Sequence, residues 1–180
     1  MWHTDDMRDV SRIKAAVRDV PDFPKAGIVF KDITPVLGDG ALFQEVIDLF
    51  ADSLPGKDVT KIVGIDARGF IFASAVAYKL GVGFVPVRKK GKLPWTTRSA
   101  EYELEYGNAT VEIHVDAVVP GEKVALIDDV LATGGTAAAA LRLLNCCGAE
   151  VVSAQFLMEL GFLKGREKLG ATPVDSLLIY

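Results

Sequence analysis

From residue 61 onward, short apolar runs of strand length alternate with segments of helical period, and this alternation limits the fold more than any other feature of the chain. Residues 61–65 (KIVGI), 83–87 (GFVPV), 123–127 (KVALI) and 151–157 read as buried strands, with 176–179 as a last one. Between them, residues 70–80 form a helical segment closed by Gly81, and residues 136–144 an alanine-rich one. Runs that are apolar at successive positions suit strands covered on both faces. The pattern therefore predicts an α/β fold, a central and mainly parallel sheet flanked by helices. Upstream, Val10, Ile13, Val17 and Val20 recur at helical spacing and predict a helix over residues 8–20, stopped by Pro21. A loop (PDFPKAG), a short strand at 28–30 and a helix outlined by Leu42, Val46, Ile47, Leu49 and Phe50 complete this part. No repeat or linker divides the chain, so residues 1–180 are expected to form a single domain.

Residues 88–118 break the rhythm. A charged loop of about a dozen residues leads to two alternating segments, 102–106 and 110–115, separated by Gly107-Asn108, which is a hairpin signal. Residues 88–98 carry five positive charges (Arg88, Lys89, Lys90, Lys92, Arg98) and no acid. The formal net charge of −4 thus conceals −9 on the remainder. A solvated face is the ordinary reading of such a run. Its position, following a strand and opening the one long loop, suits a lid over a polyanion. The acidic balance argues against a nucleic-acid surface but not against a phosphate-rich ligand.

The longest uncharged stretch, residues 130–141, falls short of the roughly 18–20 apolar residues that cross a membrane. The first twenty residues mix acids and bases and lack a signal-peptide core. Cys146 and Cys147 are adjacent and read as thiols of a reducing compartment. A cytoplasmic protein with no membrane partner is expected.

The strongest motif is VALIDDVLATGGT, residues 124–136. A buried strand ends in two carboxylates, Asp128 and Asp129, followed by a loop of small residues and a helix starting near Gly135 or Thr136. Backbone N–H groups and the positive end of the helix dipole converge at such a junction. Gly134 and Gly135 allow an anion to approach, and Thr133 and Thr136 add hydroxyl donors. A plain turn capped by Thr136 is the alternative. The paired acids beside the loop favour a ligand carrying hydroxyl groups or a metal ion next to its phosphate, as a sugar phosphate does. The loop matches neither the nucleoside-triphosphate nor the dinucleotide glycine pattern. A second strand-to-helix turn, Asp66-Ala67-Arg68-Gly69-Phe70, gives another candidate anion site at a strand's carboxyl end.

IDDVLATGGT resembles the binding motif of the type I phosphoribosyltransferases. PDFPKAGIVFKDITPVL (21–37), DARGF (66–70), VRKKGKLP (87–94), YELEYG (102–107) and LKGREKL (163–169) resemble, in order, segments of the adenine-specific members of that family. The resemblance implies the type I phosphoribosyltransferase fold, with a small N-terminal hood (1–35) for the base and a flexible lid hairpin (88–107). It implies that adenine and 5-phosphoribosyl 1-pyrophosphate (PRPP) give AMP and pyrophosphate through an oxocarbenium-like state, in a homodimer. Asp128 and Asp129 would meet the ribose hydroxyls, and Ala132, Thr133, Gly134, Gly135 and Thr136 the 5′-phosphate. Arg68, Arg88, Lys89, Lys92 and Tyr106 would meet pyrophosphate, with Mg²⁺ carried by PRPP and pyrophosphate and no direct protein ligand.

By the same resemblance, the backbone of Val29 and Lys31 reads the purine edge, while Phe30 and Val130 sandwich the ring. Amides set to pair an amino group would be left unpaired against an oxo purine, at about 1–3 kcal/mol each. Glu105 is the expected catalytic proton handler beside Arg68. Glu101 and Glu103 lie at the same two-residue spacing, so the residues themselves leave the three glutamates open. Glu159 has a family counterpart without an evident role, and His3 and His114 are expected to be non-catalytic. A transferase for another base, and a non-catalytic PRPP sensor that binds nucleic acid, are the rival readings.

Overall fold

A computed structural model describes residues 9–54, 58–103 and 107–180. The chain divides into two compact units, Met1–Val46 and Ile47–Tyr180. In the first, helix α1 (Ser11–Ala16) is followed by an antiparallel pair, β1 (Arg18–Pro21) and β2 (Val29–Asp32), and by a short helix α2 (Thr34–Gly38). Helix α3 (Gly40–Asp52) carries the chain into the second unit. The helix expected over residues 8–20 is therefore corrected: it ends at Ala16, and Val17 is already extended (ψ 124°). β-branched Val17 and Val20 sit in a segment whose backbone pairs with β2 from Arg18↔Asp32 to Pro21↔Val29. That pairing overrides their helical spacing. The strand expected at 28–30 lies one residue later and runs to Asp32.

The second unit is built on seven strands in the order β5-β6-β4-β3-β7-β8-β9. β3 (Lys61–Ile65), β4 (Gly83–Lys89), β7 (Lys123–Leu131), β8 (Glu150–Glu159) and β9 (Val174–Ile179) are parallel. β5 (Thr97–Glu103) and β6 (Asn108–His114) form an antiparallel hairpin on the β4 edge. The central strands bury nearly every residue, as parallel strands covered on both faces must. Helices α4 (Gly69–Leu80) and α5 (Gly135–Cys146) supply the cover. Gly81 closes α4 in the left-handed conformation (φ 68°). Ala137, Ala139 and Ala140 are buried and let α5 approach the sheet closely.

The loop expected from residue 88 to the hairpin is shorter than its charge suggests. β4 continues to Lys89, and β5 already begins at Thr97, paired with His114. Arg98, Ser99, Glu101 and Glu103 are exposed and hide the strand from a hydrophobic reading, whereas Ala100 and Tyr102 pack against the core. Among the described residues, no helix is long and apolar enough to cross a membrane.

Candidate active site

β3 lies between β4 and β7, so the chain leaves β3 to one side of the sheet and returns on the other. At such a switch point the loops beyond two neighbouring carboxyl ends diverge and leave a crevice. A cavity of about 300 Å³ occupies that place. One wall is the turn after β3 (Asp66, Ala67, Arg68), and the other is the end of β7 and the start of α5, from Asp128 to Ala137. Lys89 and Tyr102 close the rim.

The half formed by the end of β7 and the start of α5 is a helix start without a side-chain cap among the described residues. Gly134, in the left-handed region (φ 77°, ψ −3°), is the N-cap, and the helix begins at Gly135. The first bond of the helix runs from Ala138 N to Gly134 O, at 2.9 Å. The amides of the first turn are thereby left to the cavity that Gly135, Thr136 and Ala137 line. The possible Thr136 cap is therefore not formed. Gly135 is also needed for space: a Cβ there would lie 3.2 Å from the Tyr102 ring.

The acids extend β7 rather than following it. Asp129 is buried, and its Oδ2 accepts from Arg68 Nε at 2.7 Å. Asp128 Oδ1 accepts from the backbone N–H of Asp129 at 2.9 Å. Burial, and then the neighbouring Asp129 carboxylate, push the Asp128 carboxyl well above the ordinary aspartate range, against the pull of Arg68. Two carboxylates compressed in this way are receptive to hydroxyl donors or to positive charge brought by a ligand. No group of three or more His, Cys, Asp or Glu that could hold a metal ion stands among the described residues. Gly69 makes the close approach of α4 to Asp128 possible, since a Cβ there would come within 2.5 Å of Asp128 Oδ1.

Of the basic run, Lys89 reaches the cavity lining. Arg88 is not in the lining but is bonded to it: its Nε donates to Asp66 Oδ2 at 3.2 Å, and its Nη1 to Lys92 O at 3.1 Å. Lys92 is exposed in the turn. Buried Glu112 accepts from Gly91 N at 2.9 Å and so fixes the same turn from β6. Val130 lines the cavity. Val29, Phe30 and Lys31 form part of β2 in the first unit, where Phe30 meets Phe23 edge to face at 5.2 Å and Lys31 pairs with Asp19 at 2.6 Å. Glu101 and Glu103 line a second hollow with Arg142 and Lys168. Glu105 and Tyr106 lie outside the described residues. The Asp66–Phe70 turn expected as a second anion site supplies Asp66, Ala67 and Arg68 to the lining, whereas sequence reasoning missed Tyr102. The Asp66-Ala67 peptide is cis.

A doubly wound sheet with an uncapped helix start and paired acids at its switch point is the architecture of the phosphoribosyltransferase family, to which the chain belongs. Residues 37–170 match the phosphoribosyl transferase domain. Its relatives include the adenine phosphoribosyltransferase of Anaeromyxobacter dehalogenans, 56% identical over 93% of this chain and 98% of that protein. The crystal structure of adenine phosphoribosyltransferase from Thermoanaerobacter pseudethanolicus superposes with a TM-score of 0.92, at 51% identity over 95% of this chain and 99% of that one. The Saccharomyces cerevisiae enzyme, complexed with adenine and an imino-altritol bisphosphate, gives 0.90 at 44% identity, over 93% of this chain and 97% of that one.

Proposed function

We infer that this chain is an adenine phosphoribosyltransferase of purine salvage, converting adenine and PRPP to AMP and pyrophosphate. The observation that carries this is the uncapped α5 start directly beside two compressed carboxylates, faced by the Arg68 turn across one cavity. A 5′-phosphate suits the amides and hydroxyls of residues 132–136, and the ribose hydroxyls suit Asp128 and Asp129. Ribose binding would exchange the Arg68–Asp129 pair for hydrogen bonds to the sugar, freeing Arg68 to turn to the pyrophosphate. Lys89, Lys92, Arg88 and Tyr106 add to that end of the site, with residues 88–107 as its lid.

In the reaction the bond from the anomeric carbon to pyrophosphate oxygen breaks. A bond to the adenine ring nitrogen forms, and the proton displaced from that nitrogen passes to Glu105. Val29 and Lys31 present main-chain partners to the 6-amino purine, with Phe30 against the ring. Mg²⁺ would be carried by PRPP and pyrophosphate, with no direct protein ligand, and would supply charge neutralisation for the leaving group. A homodimer goes with this reading, since twofold assembly is the commonest soluble form and Ile71 and Tyr78 leave apolar surface on α4. So does a cytoplasmic location, where the free Cys146 and Cys147 stay reduced.

Steady-state assays of PRPP with adenine, hypoxanthine, guanine, xanthine and a pyrimidine, each with and without Mg²⁺, test the reading. Adenine is expected to dominate by at least about tenfold, the value of one unpaired amide. Equal or better turnover with another base would replace the adenine assignment. Light scattering would contradict the dimer if it gave the mass of one chain.

A further inference from the structure

The ion pair between Glu159 and Arg166 has no part in the reaction as described, yet it sits in a cluster of four hydrogen bonds. Glu159 ends β8, in register with Leu131 at the end of β7 and Ile179 of β9. It thus stands level with the point where the phosphate loop departs. Its carboxylate is buried and receives Arg166 Nε on Oε1 at 3.2 Å and Arg166 Nη2 on Oε2 at 2.5 Å. Ser176 donates to Oε2 at 2.9 Å, and Arg166 Nη1 donates to Val174 O at 2.7 Å. The guanidinium fork is thereby fixed to two strands at once, which a lysine could not achieve.

Arg166 belongs to a 3₁₀ segment, Gly165–Leu169, whose other end is held by buried Leu169. Its first residue, Gly165, lies directly against the phosphate loop. A Cβ on Gly165 would run into the carbonyl oxygen of Ala132, and one on Gly134 into the carbonyl oxygen of Gly165. Two backbones in such contact cannot move independently, because no flexible side chain separates them to absorb a shift. The position of Gly165 therefore limits the shape available to residues 132–134, including the left-handed Gly134 that starts α5.

We propose that the Glu159–Arg166 pair is a positioning device for the 5′-phosphate loop, holding the Gly165 backbone against residues 132–134 so that the loop is shaped before the phosphate arrives. The proposal rests on the reading of the cavity as a phosphoribosyl site. Neither side chain lines the cavity. Both act through the Gly165 backbone, and their loss should weaken phosphate binding without weakening base binding.

The test compares wild type with Glu159→Gln, Arg166→Met and Arg166→Lys. For each, thermal midpoint, AMP affinity by calorimetry, and KM for PRPP and for adenine are measured. In Glu159→Gln and Arg166→Met, the AMP Kd and the PRPP KM are expected to rise about tenfold or more, with adenine KM within about threefold. Arg166→Lys, which keeps the charge without the fork and serves if the other variants do not fold, should show a smaller rise in the same two constants. Folded variants with lowered midpoints but unchanged AMP Kd and PRPP KM would overturn the proposal, as would equal rises for both substrates. A wild-type chain that neither binds AMP nor turns over would overturn the functional reading, and this proposal with it. A competent wild type beside unaltered variants would overturn the proposal alone.

Discussion

Replacing Gly69 with alanine isolates the physical demand that brings the turn after β3 and the end of β7 together. A methyl at this position would stand 2.5 Å from Asp128 Oδ1, and 3.2 Å from both Asp128 Cα and Ile127 O. The first distance is roughly 1 Å inside a comfortable contact, and the other two partners are backbone atoms of a central strand that cannot yield. Overpacking of this kind costs about 1–3 kcal/mol. Loss of glycine's freedom in the unfolded chain returns about 0.5–1 kcal/mol. A net loss of up to about 2.5 kcal/mol, centred near 1 kcal/mol, remains, or up to about 10 °C in Tm for a chain of this size. The Asp128 carboxylate is the movable part, so it should turn away and the PRPP KM should rise about tenfold or more. Differential scanning calorimetry and initial-rate kinetics read the two effects. Gly40→Ala is the control, since a Cβ at Gly40 meets nothing within 4 Å. An unchanged Tm and PRPP KM in Gly69→Ala, matching the control, would refute the reasoning.

Three further outcomes follow from the site. Burial and Asp129 raise the Asp128 carboxyl above its unfolded value, so the folded chain binds more protons and its stability falls as pH rises through that raised range. Asp128→Asn should therefore gain stability at neutral pH in urea titrations while losing turnover, and a destabilised variant would contradict this account. Glu112→Ala removes the acceptor for Gly91 N and should weaken pyrophosphate inhibition about three- to tenfold, with Glu112→Gln retaining most of it. The idea fails if both variants bind pyrophosphate as wild type does. Glu105→Gln should lower kcat about a hundredfold and Glu101→Gln hardly at all, and equal small losses would remove Glu105 from the mechanism.

The features legible in the sequence are those set by local pattern. The bounds of β3 follow from a continuous apolar run, and the end of α4 from Gly81. The loop before α5 is legible because glycines, threonines and paired acids gather within a dozen residues, and they line one cavity. Hidden features depend on contacts distant in sequence. β1 takes its conformation from β2, against its own helical spacing. β5 carries mostly exposed polar residues and forms because Val111 and Ile113 of β6 bury the opposite face. The Arg88–Asp66 and Arg166–Glu159 pairs and the Gly165–Gly134 contact join residues whose neighbourhood only the fold creates.

The central claim is a covalent one, that the phosphoribosyl group passes from pyrophosphate to adenine in the cavity at the β3–β7 switch point. Incubating the purified chain with labelled adenine, PRPP and Mg²⁺ and separating the nucleotides chromatographically tests it directly. Labelled AMP and pyrophosphate should appear in equal amounts, and Asp128→Asn should suppress both. Pyrophosphate release without AMP, or no turnover of either substrate, would contradict it.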